Sequence, residues 1–484
     1  MFIRDIRQIR ALFRSVPGTF IGAGMTAFSR ILPASFLDGY RIIALHRTED
    51  LSLLRQEADI FCLEEETQKG APVPVENSEN LLLHPQTRCF LDGIPDAKYF
   101  FLYQDYPGLR SAARTNGWRL LANPPQLRQR LIKRKFFKKM AVDLNLPRTP
   151  GDIHPITALH LKKYGAWRNV LGPSFVVQLP EIERGGGRGT FFVHSEGDYR
   201  HLRDRLAEDR WRDTNLESIS VHKFLEGIPS SVVVCVTRHG TLVSALQRQL
   251  LDLPYCEGFA ENGVFCGHAW GGLEWTEQVR RSAFKQACRI GDHLGSLGYK
   301  GILGIDFIVQ RKSGKVYPIE INPRLTGALP MLSLLHLQEG IIPMEAFHML
   351  EFLEIPYRLD RNAINKRYAE TVTGSHILLF RPPASKTRGA IVRPGLYEYS
   401  PSERGFHFLK ETMAYQDIGN EDRFILTDGP MYGKAREATR QDSHDRLCRL
   451  LFSYPVVNRN GMLSPQALSA VNWVREKTAK GGIA

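Results

Sequence analysis

The chain has 484 residues, 43% of them hydrophobic and 24% charged, which is enough to bury roughly two to four packed units. Its net charge of +13 favours anionic partners such as nucleotides and carboxylates. No apolar run reaches the roughly 18 residues that a membrane span needs, and the lack of a recognisable RNA- or DNA-binding motif disfavours a nucleic-acid role.

The seven cysteines are scattered along the chain and include no C-x-x-C pair. This usage indicates reduced, mostly buried thiols rather than a disulfide or zinc framework. The sequence therefore predicts a cytoplasmic protein.

Residues 1–38 form a basic N-terminal segment. Apolar residues and arginines recur from Phe2 to Arg14 at roughly helical spacing, which predicts a basic amphipathic helix. The favoured interpretation is a helix packed on its own protein or on a second subunit of a homodimer. Contact of residues 1–28 with a membrane surface is the alternative.

Residues 39–124 alternate short apolar strands with a helix. The strands are expected at 41–46, 59–63, 99–103 and 118–122, and this pattern predicts a small α/β domain with a parallel sheet. No glycine fingerprint follows its first strand, so this domain is not expected to bind a nucleotide.

A basic helix is predicted over residues 126–145, after two prolines that suit a first helical turn. Beyond it, a strand ending at Gln178 and a second strand flank the glycine-rich run GGGRG. Consecutive glycines let backbone N–H groups approach phosphate oxygens, although many loops of this composition only turn. The two strands are therefore predicted to form a hairpin flap. Further along, Arg248 lies on a predicted strand, where it either points into a cleft or is solvated.

The stretch from Gly301 to Ala328 reads as two strands joined by a turn. Side chains alternate along a strand, so Asp306 points away from its apolar neighbours, and Glu320 and Asn322 share one face of the second strand. If Arg311 lies opposite Lys315 at the turn, Asp306 faces Glu320, with Asn322 one step along.

Two carboxylates and an amide oxygen would then converge. Carboxylates held this close repel each other, so the cluster suits a hard divalent cation, with Mg²⁺ bridging phosphates as the best fit. The alternative is an ordinary exposed hairpin with acidic residues on its wet face. Arg324 adds a cation two residues beyond Asn322.

The string D-x₁₃-E-x-N-P-R that these residues form resembles the metal-binding end of the ATP-grasp superfamily, in particular its carboxylate-amine ligases. By that resemblance, Asp306, Glu320 and Asn322 would hold two Mg²⁺ ions between the phosphates of ATP, with Mn²⁺ as an alternative. Arg324 would stabilise charge on the transferring phosphoryl group or on the substrate carboxylate. Arg248 is a second candidate catalytic residue.

The resemblance also implies an ATP site along residues 125–355. Lys135 would be the ATP-contacting lysine of the basic helix, with Lys133 as a near competitor. Gln178 stands where the family has a phosphate-contacting lysine, so a neighbouring arginine would replace that charge. The remaining ATP-binding residues implied by the resemblance lie in the flap and in an adenine-reading hinge: Arg184, Gly186, Gly187, Arg188, Gly189, Lys223, Phe224, Leu225 and Glu226.

The implied fold is a multidomain combination of α/β and α+β units, with an ATP-grasp domain at residues 125–355. A parallel α/β domain precedes it, and residues 356–484 form a separate C-terminal α+β module, in which the sequence predicts a helix over 435–452. The implied activity joins a small carboxylate to an amine, such as an amino acid or peptide, through an acyl phosphate. The alternatives are ATP-grasp chemistry without an amine, as in carboxylation, acyl-CoA formation or phosphoryl transfer, and a non-catalytic ATP-binding module.

Overall fold

The computed structural model describes residues 1–67, 75, 77–182, 189–211, 214–256, 263–272, 275–370, 372–380, 392–430 and 446–479. No helix in these ranges combines the length and the apolar character needed to cross a membrane. Short 3₁₀ helices lie at Phe28–Arg30, Leu32–Ser35, Pro254–Cys256 and Tyr415–Asp417.

The N-terminal unit is a parallel sheet flanked by helices, which confirms the predicted α/β architecture. Its elements are β1 (Phe2–Ile3), α1 (Ile6–Arg14), β2 (Thr19–Gly24), β3 (Arg41–Ala44), α2 (Leu51–Leu54), β4 (Asp59–Cys62), α3 (Leu63–Glu66), α4 (Ser78–Leu83), α5 (Pro85–Asp92), β5 (Lys98–Leu102), α6 (Pro107–Thr115) and β6 (Arg119–Leu121). Within this sheet the strands lie in the order β4-β3-β2-β5-β6.

Residues 1–38 are part of this unit and not a separate segment, because β2 is the central strand of the sheet. The glycines of β2 look like strand breakers in the sequence, yet a Cβ on Gly22 would collide with the Tyr40 hydroxyl oxygen. The apolar face of α1 is buried in the protein's own core through Ile9, Leu12 and Phe13. That face is therefore not available to a membrane surface.

A smaller antiparallel sheet and its helices follow. The elements are α7 (Pro125–Ile132), α8 (Arg134–Asp143), β7 (Gly151–Pro155), α9 (Thr157–Leu161), α10 (Tyr164–Leu171), β8 (Phe175–Gln178), β9 (Thr190–Val193), α11 (Glu196–Arg205), β10 (Arg210–Trp211), β11 (Thr214–Asn215) and β12 (Ser218–Lys223). The sheet order is β7-β12-β8-β9. The prediction of one helix over 126–145 was wrong, because Lys133 adopts an extended conformation (ψ 128°) and separates α7 from α8.

A large antiparallel sheet forms the centre of the molecule. The strands and helices of this part of the chain are β13 (Gly227–Thr237), β14 (Gly240–Val243), β15 (Gln247–Leu251), β16 (Phe265–Trp270), α12 (Glu277–Ser296), β17 (Gly301–Gln310), β18 (Val316–Asn322), α13 (Leu329–Gln338), α14 (Met344–Leu353), β19 (Arg358–Leu359), α15 (Arg361–Tyr368), β20 (Gly374–Phe380), β21 (Gly395–Ser400), β22 (Gly405–Lys410), β23 (Arg423–Thr427), β24 (Arg446–Phe452) and α16 (Pro465–Ala479). The sheet contains all of these strands except β19, which pairs in parallel with β1. Its order is β18-β17-β13-β15-β16-β20-β24-β23-β21-β22, with β14 paired to β13.

The C-terminal strands extend this sheet, so residues 356–484 are not a separate module. β20 pairs with β16 in antiparallel fashion, and β24 in turn pairs with β20 and β23. The sequence favoured a helix over 435–452, but Arg446–Phe452 is a strand because two neighbouring strands supply its backbone partners. Residues 435–445 of that predicted helix lie outside the described ranges.

Hydrogen bonds from a buried ion-pair cluster of the C-terminal strands tie these strands to the N-terminal unit. Arg446 donates to the Thr26 hydroxyl (3.0 Å) and to Asp428 (2.9 Å), and the backbone N–H of Asp428 donates to Asp50 (2.6 Å). Arg449 pairs with the same Asp428 carboxylate at 3.1 Å. Removing one partner would leave a buried charge uncompensated, so this contact fixes the two units relative to each other.

Candidate functional site

The β17–β18 hairpin brings Asp306 and Glu320 directly opposite each other, and Gly304 lies opposite Asn322. The three oxygen-bearing side chains therefore share one face of the sheet, as the sequence predicted. The predicted register at the turn was one residue off, because Val309 pairs with Val316. A bulge at Ile319, between the pairs Phe307–Pro318 and Asp306–Glu320, restores the expected alignment.

Hydrogen bonds join the polar side chains of this face into a chain. The Asp306 carboxylate accepts from the Gln249 amide on Oδ1 and from the Asn322 amide on Oδ2, both at 2.9 Å. Arg324 in turn donates to Asn322 Oδ1 at 3.1 Å. Burial, and then the negative charge of Glu320, raise the pKa of Asp306, and the charge of Arg324 opposes this shift.

Arg324 lies where the hairpin meets the N-terminal sheet. Its guanidinium group is 4.9 Å from the centre of the Tyr103 ring, and the next backbone N–H, that of Leu325, donates to the Tyr103 carbonyl at 3.1 Å. Tyr103 directly follows β5, whose neighbour β2 is where the strand order of the sheet reverses. Crevices at such reversal points, beside the carboxyl ends of parallel strands, are common ligand sites.

Arg134 is a site residue that the sequence interpretation missed. It is the first residue of α8, and its Nη1 donates to the carbonyl of the bulged Ile319 at 2.9 Å while Nη2 lies 4.0 Å from Glu320 Oε2. The only sequence signal was its place in the basic run KRKFFKK, between the two lysines that were considered. The break between α7 and α8 at Lys133 precedes Arg134, and the basic run itself does not indicate this break.

Lys135 lies on the surface of α8, and its contact with ATP stays a prediction. Its exposed side chain lines an open cavity of about 720 Å³ between α8 and β7, together with Lys138, Asp152 and His154. The positive charge that α8 brings to the hairpin is the guanidinium group of Arg134. Lys133 forms the break before α8, and its side chain is exposed.

The predicted flap hairpin is confirmed by the antiparallel pairing of β8 and β9. Gln178 ends β8 and donates to the Thr190 hydroxyl at 3.3 Å, and Gly189 adopts a positive φ of 73°. Positive φ is the backbone freedom for which glycine is suited. The remaining flap residues of the prediction lie outside the described ranges: Arg184, Gly186, Gly187 and Arg188.

The segment from Lys223 to Glu226 connects the small sheet to the large one. The backbone N–H groups of Lys223 and Phe224 donate to Pro150 and Ser174 at 2.8 and 3.1 Å, while Leu225 and Glu226 continue into β13. Just before it, burial and then the charge of Arg134 lower the pKa of His222 to about 4. The connecting segment and the neutral imidazole of His222 therefore lie near Arg134, which contacts the hairpin.

Arg248 is not part of the polar face. It pairs with Ser230, whereas the next residue, Ser231, pairs with Asp306, so Arg248 lies on the opposite face of the sheet. It is 6% exposed and donates to the Asn458 carbonyl at 2.9 Å. Both alternatives predicted for Arg248 were wrong, because the alternation along β15 puts Gln249 on the cleft side and the Arg248 side chain is buried rather than solvated.

The residues of the polar face fit a magnesium site. Asp306, Glu320 and Asn322 offer oxygen atoms alone, the donor type that Mg²⁺ prefers, and Mg²⁺ usually completes its shell with water and phosphate oxygens. Within the described ranges, no group of three His, Cys, Asp or Glu side chains is arranged to hold a metal. Two carboxylates and one amide would therefore be the protein's share of such a site.

Comparisons with known proteins bear on the family and the fold of the chain. Residues 202–328 match the family model of the ATP-grasp domain, and this range includes β12 to β18 and all three oxygen-bearing side chains of the polar face. This match confirms the resemblance to the ATP-grasp superfamily that was seen in the sequence.

Solved structures show that the similarity in fold extends over most of the chain. Biotin carboxylase from Campylobacter jejuni, in a β-γ-ATP complex, matches with a TM-score of 0.57 and 12% identity over 91% of this chain and 88% of that one. The biotin carboxylase domain of Hydrogenobacter thermophilus 2-oxoglutarate carboxylase, bound to MgADP and bicarbonate, matches with a TM-score of 0.55 and 12% identity. This match covers 91% of this chain and 87% of that one. N5-carboxyaminoimidazole synthase from Aspergillus clavatus matches with a TM-score of 0.52 and 10% identity over 90% of this chain and 94% of that one. At these identities the likeness establishes the ATP-grasp fold.

Proposed function

We propose that the protein is an ATP-dependent carboxylate–amine ligase that forms an amide or peptide bond and releases ADP and phosphate. The proposal is carried by one observation, the convergence of two carboxylates, one amide and two guanidinium groups on the β17–β18 hairpin of an ATP-grasp domain. These groups belong to Asp306, Glu320, Asn322, Arg324 and Arg134.

In the proposed reaction, a carboxylate oxygen of the acid attacks the γ-phosphorus of ATP and the bond to the β–γ bridging oxygen breaks. The acyl phosphate and ADP result, and the amine nitrogen then attacks the acyl carbon, loses a proton and displaces phosphate. Such transfers need positioning and charge stabilisation more than covalent help. Arg324 and Arg134 would supply positive charge to the phosphoryl group from two sides of the hairpin.

Magnesium bound by Asp306, Glu320 and Asn322 would offset the charge of the ATP phosphate oxygens. The raised pKa of Asp306 supports this assignment, because burial and the charge of Glu320 disfavour its ionised form, which a bound cation would favour. Mn²⁺ has similar ligand preferences and is a suitable substitute in binding experiments.

The acid is proposed to bind in the crevice beside Tyr103. Tyr103 follows β5 at the reversal point of the N-terminal sheet, and Arg324 lies against its ring at 4.9 Å. An arginine fork is well suited to a carboxylate. The acid would thus lie between the N-terminal sheet and the metal site, within reach of the phosphoryl group.

A second candidate is a carboxylase-type reaction in which bicarbonate takes the place of the organic acid. It is supported by the similarity in fold to two carboxylases over 91% of this chain. The same hairpin groups would then act on a carboxyphosphate, and no amine would be needed for ADP release.

Measurement of ADP release tests both proposals. The full-length protein is incubated with Mg-ATP and a matrix of acids and amines, with and without bicarbonate, and products are identified by mass spectrometry. ADP release that needs both an acid and an amine supports the ligase, whereas release that needs bicarbonate but no amine supports the carboxylase. ATP binding without turnover under every condition would contradict both and leave a binding module.

A further inference from the structure

We infer that Gln249 is a positioning residue that orients the Asp306 carboxylate towards the metal ion. This inference rests on the proposed metal site and adds to it a residue from a strand outside the β17–β18 hairpin. Gln249 lies on β15, and its Nε2 donates to Asp306 Oδ1 at 2.9 Å.

The carboxylate of Asp306 needs such a partner because its own backbone does not fix it. The terminal torsion of an aspartate side chain is broad, so hydrogen bonds decide how the carboxylate plane is turned. Here Asn322 donates to Oδ2 and Gln249 to Oδ1, both at 2.9 Å, from opposite sides of β17. Each carboxylate oxygen accepts more than one bond, so capacity for a cation remains on both.

Gln249 reaches Asp306 across the intervening strand β13. The β13 residue that pairs with Asp306 is Ser231, a small side chain that leaves room above the sheet. Ser231 is itself bound by a second amide, because Gln247 Nε2 donates to its hydroxyl at 2.9 Å. Two glutamines on one face of β15 thus have different partners, and only Gln249 contacts the carboxylate.

A neutral donor is the suitable chemistry at this position. A lysine or arginine would neutralise Asp306 and compete with the metal for it, since opposite charges at this distance attract strongly in a shielded site. The glutamine amide has no net charge and holds the carboxylate while leaving its negative charge for the ion. Partners of this kind typically change metal affinity by 10- to 100-fold when removed from known metal sites.

The test compares Gln249→Met with the matched control Gln247→Met. Mn²⁺ is titrated into the full-length protein in the presence of saturating ADP, and the EPR signal of free Mn²⁺ gives the dissociation constant. We expect Gln249→Met to weaken Mn²⁺ binding about 10-fold or more, and Gln247→Met to change it less than about two-fold, as expected for an amide that does not touch a ligand. Thermal unfolding shows whether each variant is folded.

Unchanged Mn²⁺ affinity in Gln249→Met, or an equal loss in Gln247→Met, would overturn the inference. If Gln249→Met does not fold, Gln249→Asn replaces it, because that variant keeps the amide but is one methylene too short to reach Asp306. Glu320→Gln separates the two levels of the argument. If Glu320→Gln loses Mn²⁺ binding while the Gln249 variants bind it normally, only the inference about Gln249 is wrong. If Glu320→Gln itself binds Mn²⁺ normally, the metal site and the proposed function are both wrong.

Discussion

The guanidinium group of Arg134 donates a 2.9 Å hydrogen bond to the carbonyl oxygen of Ile319. Ile319 is the bulged residue of β18, and its neighbour Glu320 is the one that pairs with Asp306. A bulge leaves a residue without its ladder partner, and here a cation from another element takes that place. Arg134 thereby couples α8 to the geometry of the proposed metal site and brings positive charge within 4.0 Å of Glu320.

Replacement of Arg134 should therefore be far more damaging than replacement of its neighbour. We expect Arg134→Met to lower kcat/KM for ATP about 100-fold, the usual cost of removing one charge-stabilising donor. Lys135→Met should change it less than about three-fold, because Lys135 is exposed on the α8–β7 cavity and such surface groups contribute little. Steady-state ADP release measures both, and a larger loss in Lys135→Met would return the role to the lysine.

Glu320→Gln is expected to abolish ADP formation while the protein stays folded. The substitution keeps the volume of the side chain and removes one of the two negative charges that would hold the cation. Glu320 is an exposed residue, so the thermal unfolding temperature should change little. Glu339→Gln, an exposed glutamate after α13, is the control for a general effect of charge, and wild-type turnover in Glu320→Gln would remove the hairpin from the active site.

The sequence predicted the facing pair Asp306–Glu320 because strand alternation and a short turn together fix which residues share a face. The register predicted at the turn was nevertheless wrong by one residue. The extra residue of the bulge at Ile319 shifts the register back, so the predicted pair still faces each other. A bulge depends on contacts from distant elements, here on Arg134. The β18 sequence does carry one local signal, Pro318 directly before the bulge, because proline within a strand is confined to edge strands and bulges.

Tertiary context also explains the misassigned elements. Gly22 weakens the local strand signal of β2, yet the close approach of Tyr40 requires it. Arg446–Phe452 was expected to continue a helix and instead completes a sheet between β20 and β23. In both cases the deciding partner is far away in the chain, which is information that propensity and periodicity do not carry.

Arg248→Met should lower stability rather than activity. Arg248 is 6% exposed, its guanidinium donates to the Asn458 carbonyl, and a Cβ on Gly461 would lie 2.5 Å from its Nη2. Hydrogen bonds from a buried charged group are worth about 1.5–3 kcal/mol, so we expect a loss of this size in the free energy of unfolding, measured in urea. ATP affinity should be unchanged, and a loss of ATP affinity or turnover at constant stability would restore Arg248 to the catalytic residues.

Glu345 should make the stability of the protein depend on pH. It lies in α14, 2% exposed, where the Ser333 hydroxyl donates to it at 2.7 Å. Burial raises the pKa of this carboxyl from 4.5 to about 7. Between these two values the folded protein holds a proton that the unfolded chain has lost, so the contribution of Glu345 to the free energy of unfolding falls as the pH rises, by up to about 3 kcal/mol.

Glu345→Gln removes this dependence because the amide stays neutral at every pH. The variant should gain stability relative to the parent as the pH rises from 5 to about 8 and keep a constant advantage above that, since both states of the parent are then ionised. Urea unfolding at intervals across this range measures the difference. Glu339→Gln, which alters an exposed carboxylate near the end of α13, should give a difference that does not vary with pH. A constant difference for Glu345→Gln as well would mean that the buried carboxyl ionises as readily as in the unfolded chain.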